Sequence, residues 1–288
     1  MKPLRRLVVV ADDLGIGPET SRGILELASE GRLTATVLLV TSPYAAEAVR
    51  AWQQAGRPCA LGWHACLTLD RPVLSPSKVP SLVNRDGRFW PLPSFLWRLA
   101  CRRLSATEIQ AELRAQLTRY LDLVGQPPEL VNGHHHIHIF PPVGAAVRTL
   151  LAEQRWRPYV RRVREPWRTL GRVPGARGKR IFLAAVGKQE ARLLDRHGFP
   201  GNDWLAGVSS PDRPVHATRL AQWLRQLPGT TIELVCHPGH ADRTLRGRDF
   251  LPSAEAATWR MGELARCRET NWQHAISLAG FEIAKCHL

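Results

Sequence analysis

Lysine is scarce in this 288-residue chain: only five of its forty basic side chains are lysine, and the other thirty-five are arginine. Acids are also short, at twenty-five, which leaves a net charge of +15 with histidine neutral. Such an excess suits nucleic acid, an anionic membrane surface or an acidic substrate. It equally suits a coding bias toward arginine that carries no function. Specific nucleic-acid binding calls for a clustered basic face with a recognition motif. The chain has no helix-turn-helix, RNP or zinc-finger pattern, so a basic nucleic-acid-binding protein is the weaker alternative. CxxC spacing is missing too. Cys59, Cys66, Cys101, Cys236, Cys267 and Cys286 stand alone, which speaks against a zinc ribbon or disulfide framework and for reduced thiols in the cytoplasm. No apolar run approaches the roughly 20 residues of a membrane span. No small-residue cleavage site follows the first apolar run, so that run reads as a strand and not a signal peptide. With no internal repeat and no linker, residues 1–288 read as a single domain.

What the chain does have is a core and a rhythm. Hydrophobic residues make up 44%, enough for a sizeable interior. LVVVA at 7–11 is a continuous apolar run, as expected of a strand buried on both faces. A helical pattern follows from Gly17-Pro18 to Gly31, then a strand at 34–40, a helix at 44–54 and a strand at 59–67. Residues 107–124 carry Ile109, Leu113, Leu117 and Leu121 at spacings of four, the mark of an amphipathic helix. Further strands are expected at 130–132, 181–185 and 232–236, and further helices at 143–154 and 216–226. This alternation predicts an α/β fold with a mainly parallel sheet, open or closed into a barrel. Two stretches break it. Residues 71–99 are rich in Pro and Trp and read as a long, substrate-facing excursion. Residues 155–180 hold ten basic side chains against one acid, Glu165, and read either as a solvated loop or as a face toward anions or lipid headgroups.

Chemistry-bearing residues stand at four expected strand ends. Asp12 and Asp13 follow the first strand, where α/β sheets face their ligands. Carboxylates there are costly to desolvate without a cation or donor. One can cap the next helix, which accounts less well for two. His64 ends the third strand. His134, His135, His136 and His138 fill NGHHHIH at 132–138. In an extended segment His134, His136 and His138 would share one face and His135 the other. His-rich tracts bind metals, and not all four can hold one ion, so the others would orient ligands or hold substrate. His237 ends the strand at 232–236 in CHPG, with a near-neutral pKa suited to proton transfer. One carboxylate with two imidazoles suits zinc or another borderline divalent ion. A spare carboxylate and a spare imidazole beside it suit metal-assisted hydrolysis.

These motifs, in this order, resemble the YdjC-like (ChbG/HpnK family) carbohydrate deacetylases. The stretches that carry the resemblance are ADDLG at 11–15, GRLTATVLLV at 31–40, LGWHACLT at 61–68, VPSLVNRDGRF at 79–89, EIQAELRAQL at 108–117, VNGHHHIHIFPPV at 131–143 and IELVCHPG at 232–239. The resemblance implies a distorted, TIM-barrel-like (β/α) barrel and metal-dependent removal of an N-acetyl group from an amino sugar, free or lipid-linked. It implies Asp13, His64 and His134 as ligands of a divalent ion, Mg2+ or Zn2+. It implies Asp12 as general base and His237 as general acid. Many members carry Asp-Ser where this chain has Asn132-Gly133, so Asn132 can supply no charge. Val131-Asn132, Val160-Arg161, Arg164-Glu165-Pro166 and Asn202-Asp203 look closer to the hopanoid-associated branch, whose implied substrate is an N-acetylglucosaminyl hopanoid. His136, His138, Arg161, Arg164, Asn202 and Asp203 are thus candidates for holding substrate or orienting ligands. An amphiphilic substrate would bring the chain to the inner face of an anionic membrane. Another metallohydrolase on the same scaffold, an amidase or phosphodiesterase, is the nearest alternative. Homo-oligomerisation is left open.

Overall fold

The structure is a computed structural model that describes residues 5–172, 176–208, 217–246, 248 and 253–284. His216 and Cys286 lie outside these. The chain begins with β1 (Arg5–Leu14), α1 (Pro18–Ser29), β2 (Ala35–Leu38), α2 (Ala45–Gln54) and β3 (Ala60–Ala65). Helices α3 (Leu92–Ala100) and α4 (Ala106–Val124) precede β4 (Leu130–Gly133). Then come α5 (Pro141–Glu153), β5 (Tyr159–Val160), α6 (Trp167–Arg172), α7 (Arg177–Arg196) and β6 (Trp204–Ala206). The last elements are α8 (Ala217–Gln226), β7 (Thr231–Cys236), α9 (Ser253–Cys267), α10 (Trp272–Leu278) and β8 (Phe281–Ile283).

Among the described residues eight strands form one parallel sheet, in the order β5-β4-β3-β2-β1-β7-β6, with β8 paired to the start of β1. Alternation along β1 sorts its side chains. Val8 and Val10 join Ala35, Val37, Ala60, Leu130 and Tyr159 in a cluster made of strand residues, the inner face of the curled sheet. Leu7, Val9 and Ala11 turn outward into the larger cluster with Ile24, Leu113 and Leu150 of the helices. No strand ladder joins β5 to β6 among the described residues. Single bonds do: Val160 N donates to the Pro200 carbonyl at 2.9 Å, and Leu205 N to the Arg164 carbonyl at 3.0 Å. The architecture is therefore the distorted α/β barrel expected of the sequence.

The excursion is a braced one. Glu112 of α4 accepts from the Val73 and Leu74 amides at 2.9 and 3.0 Å, and Glu108 from the Ser81 amide at 2.8 Å. Helix α4 itself begins at Ser105, which caps the Glu108 amide, and ends at Gly125 in the left-handed region. Residues 181–185 are corrected: they are not a strand but lie inside α7. A short apolar run cannot be told from a helix by composition. Here Arg180, Leu183, Gly187, Glu190, Ala191 and Leu194 are buried at spacings of three and four, whereas Ile181 and Phe182 are exposed. A Cβ at Gly187 would lie 2.0 Å from the Val163 carbonyl oxygen, so this close approach of α7 to the segment after β5 requires glycine.

Candidate metal centre and proton-transfer site

Asp12 and Asp13 are neighbours that share one site through a break in β1. Pairing with β2 slips between Ala11 and Leu14, and Asp13 sits at φ +71°. In a regular strand the two side chains would point to opposite faces. The bulge and the left-handed residue turn Asp13 back, so both carboxylates reach the carboxyl end of the sheet. Both are almost fully buried.

Asp13 Oδ1 lies 3.2 Å from His64 Nε2 and 2.9 Å from His134 Nδ1. One ligand atom from each of these three buried residues lies within 4.8 Å of the other two. His64 Nδ1 is bonded to Asn132 Oδ1. Asn132 Nδ2 meanwhile donates to Asp12 Oδ1 at 3.0 Å, which fixes the amide with its oxygen toward His64. His64 therefore carries a proton on Nδ1 and turns Nε2 toward the Asp13 carboxylate oxygen. Two imidazoles and a carboxylate with ligand atoms this close are a donor set that fits a divalent ion. Arg260 of α9 donates to the other oxygen of Asp13 at 2.7 Å. Burial alone would raise the Asp13 carboxyl; the charges of Arg260 and His134 outweigh it and hold it well below the usual range.

Asp12 has a different set of partners. Arg161, following β5, grips it with two parallel bonds of 2.6 and 2.8 Å. Arg161 also pairs with Glu233 of β7. This buried bridge ties β1, β5 and β7 together across the inside of the sheet. Burial pushes the Asp12 carboxyl up, but Arg161 and His64 more than offset it, so Asp12 stays ionised below the ordinary carboxylate range. His237 Nε2 stands 4.0 Å from Asp12 Oδ2. Its ring leans on Trp259 with centroids 4.9 Å apart, and its backbone amide donates to Glu263. Burial lowers the His237 pKa against the opposing charges of Asp13, Glu263 and Asp12.

The histidine tract is not extended, so the alternation expected of it is corrected. His135 and His136 take φ of 53° and 58°, folding the tract into two 3-10 turns. Left-handed residues other than glycine cost on the order of 1–3 kcal/mol each and persist only where the surroundings enforce them. Here each imidazole is held separately. His134 goes to Asp13. His135 Nδ1 bonds Thr68 Oγ1 at 2.9 Å. His138 Nε2 donates to the Arg161 carbonyl at 3.2 Å. His136 is buried beside Arg161, His138 and Lys179, and burial first, then those charges, keeps it neutral well below its usual pKa.

The structure brings together Asp12, Asp13, His64, His134, His237 and Arg161. It puts Arg164, Asn202 and Asp203 elsewhere. Asn202 holds both the amide and the carbonyl of Arg162 at 2.8 Å. Asp203 Oδ2 accepts from the Thr230 and Thr231 amides, and Arg164 donates to the Asp203 carbonyl and to Asp195. These three fasten the β5–β6–β7 edge. Sequence reasoning missed Glu233, Arg260, Trp259 and Glu263. Glu233 carried a signal, a lone acid inside the apolar run TIELVC. The other three lie on α9, beyond the last recognisable motif.

A model for YdjC-like proteins matches residues 6–277. The chain belongs to the YdjC-like family. A mouse relative named carbohydrate deacetylase is 32% identical over 252 residues, covering 83% of this chain and 79% of the relative. A human relative of the same name is 31% identical over 253 residues, covering 83% and 76%. Among solved structures, one described as a putative cellobiose-phosphate cleavage protein from Enterococcus faecalis V583 superposes with a TM-score of 0.78 at 22% identity, covering 98% of both chains. That likeness supports the same fold for this member of the YdjC-like family.

Proposed function

We propose that this protein is a metal-dependent N-deacetylase of an N-acetylated amino sugar. One observation carries the reading: two imidazoles and a carboxylate oxygen converge beside a second, separately held carboxylate and a histidine. The named relatives, both carbohydrate deacetylases, support it. Asp13, His64 and His134 would hold the ion, either zinc or magnesium. When bound, the ion would polarise the acetamide carbonyl and acidify a water. Asp12, ionised at neutral pH, takes the proton of the attacking water. His237, neutral at rest, receives that proton from Asp12 and delivers it to the departing amine nitrogen, so the C–N bond breaks as acetate and a free amine form. Asn132 keeps His64 in its working tautomer, and Arg161 keeps Asp12 in place.

The experiment is acetate release from a panel of N-acetylated sugars and glycolipids. Acetate should appear with metal-loaded protein, stop on chelation and return on adding zinc or magnesium. Phosphate-ester cleavage without acetate would favour the phosphodiesterase alternative instead.

A lipid-linked substrate, such as an N-acetylglucosaminyl hopanoid at an anionic membrane, is the finer reading. Only part of the basic stretch supports it. Arg161, Arg162, Arg164 and Arg180 pair with Asp12, Asp195 and Glu165. Arg155, Arg157, Arg168, Arg172, Arg177 and Lys179 are exposed, and Arg168, Arg172 and Arg177 lie on α6 and the start of α7, which also carry exposed Trp167, Ile181 and Phe182. Co-sedimentation with phosphatidylserine vesicles should weaken in Trp167→Ser and on neutralising those three arginines; unchanged binding would count against it. Among the described residues no helix is long and apolar enough to cross a membrane.

A further inference from the structure

The two oxygens of Asp13 are not equivalent. Oδ1 faces the imidazoles of His64 and His134, whereas Oδ2 is taken by Arg260 Nη2 at 2.7 Å. Arg260 is 1% exposed, so a guanidinium is buried one carboxylate away from the place where a second cation fits. Burying two cations so close is unfavourable. The arrangement makes sense if the guanidinium does something that a neutral neighbour would not. The bulge at Asp13 sets its backbone, and a carboxylate can ligate through one oxygen or both. Calcium readily accepts two, in flexible shells of 6–8 oxygens, whereas zinc and magnesium keep fewer, tighter positions. A charge-assisted bond to Oδ2 removes that choice.

We propose that Arg260 is a positioning residue that holds Asp13 to a single ligating oxygen and so favours small divalent ions over calcium. This rests on the ion site proposed above. Helix α9 then serves both halves of the site, setting the metal-facing carboxylate through Arg260 and flanking His237 through Trp259 and Glu263.

Two measurements test it. Zinc and calcium titrations of the purified protein should show a zinc preference that falls about tenfold or more in Arg260→Gln and largely survives in Arg260→Lys, which keeps a cationic donor. A zinc-loaded crystal structure of the parent, which needs no variant, should show one Asp13 oxygen on the ion and the other still on Arg260. An unchanged preference in Arg260→Gln, or both oxygens on the ion in the parent, would overturn the proposal while leaving the ion site standing. A parent that binds no divalent ion would overturn the ion site and this proposal together.

Discussion

Asp12 and Asp13 are adjacent in sequence, equally buried and opposite in company. Asp13 faces two imidazoles and Arg260; Asp12 faces Asn132, Arg161 and, at 4.0 Å, His237. One set of partners gathers metal-ligating atoms around a single point, and the other compensates the carboxylate with fixed cationic and amide donors. Role follows from neighbours more than from residue type. A single bulge with φ +71° is what lets two consecutive aspartates acquire separate neighbourhoods within one site. Asn132 joins the halves, touching His64 on one side and Asp12 on the other.

Substitutions on the two sides should separate these roles, and the largest losses belong to the ion side. Asp13→Asn or His64→Ala should abolish acetate release to the limit of detection, since activity that needs the ion is lost with its ligands. Asp12→Asn should lower kcat by roughly 10²- to 10⁴-fold, as expected for losing a general base, with little change in KM. Equal losses in KM would show that Asp12 binds substrate instead. Glu233→Gln should weaken one charge-assisted bond while Arg161 stays paired with Asp12, and so cost about 1.5–3 kcal/mol of unfolding free energy, read by denaturant melts. Arg161→Met should let burial dominate at Asp12 and raise its pKa, so the acid limb of kcat/KM moves to higher pH. An unmoved limb would mean that Arg161 only braces the sheet.

The smallest effect concerns the histidine tract. Burial, reinforced by the Arg161 charge, lowers His138 to a pKa of about 3, whereas an unfolded histidine titrates near 6.5. Between those values the unfolded chain binds the extra proton. Stability should therefore rise with pH across that window and fall on acidification, by up to about 1.4 kcal/mol per pH unit for this one group. Melting of the metal-free protein from pH 7 to pH 4 should show a shallower slope in His138→Gln. Equal slopes would mean that the imidazole protonates without unfolding.

Much of the fold and the site is legible in the sequence. The β-branched run at 7–11, the period of four in α4 and the strand-end positions of Asp12, His64 and His237 all read correctly, because burial and periodicity write themselves into local sequence. Three things do not. Left-handed turns at His135 and His136 depend on contacts with Thr68 and on Gly133, where a Cβ would crowd the His138 backbone at 3.0 Å. The helical state of 181–185 depends on which side chains α7 buries. Arg260 is 247 positions from Asp13, and no local pattern announces a partner so remote. The basic stretch is only partly legible for the same reason, since four of its arginines face carboxylates that only the fold brings near.

If the two aspartates divide the work, one for the ion and one for the proton, their amide variants must differ in what they hold. Ion content per chain in Asp12→Asn and Asp13→Asn, measured after loading with zinc and exhaustive dialysis, puts that division to the test without any need for a substrate. One ion should be retained in Asp12→Asn and none in Asp13→Asn. A full ion in Asp13→Asn, or no ion in Asp12→Asn, would refute it.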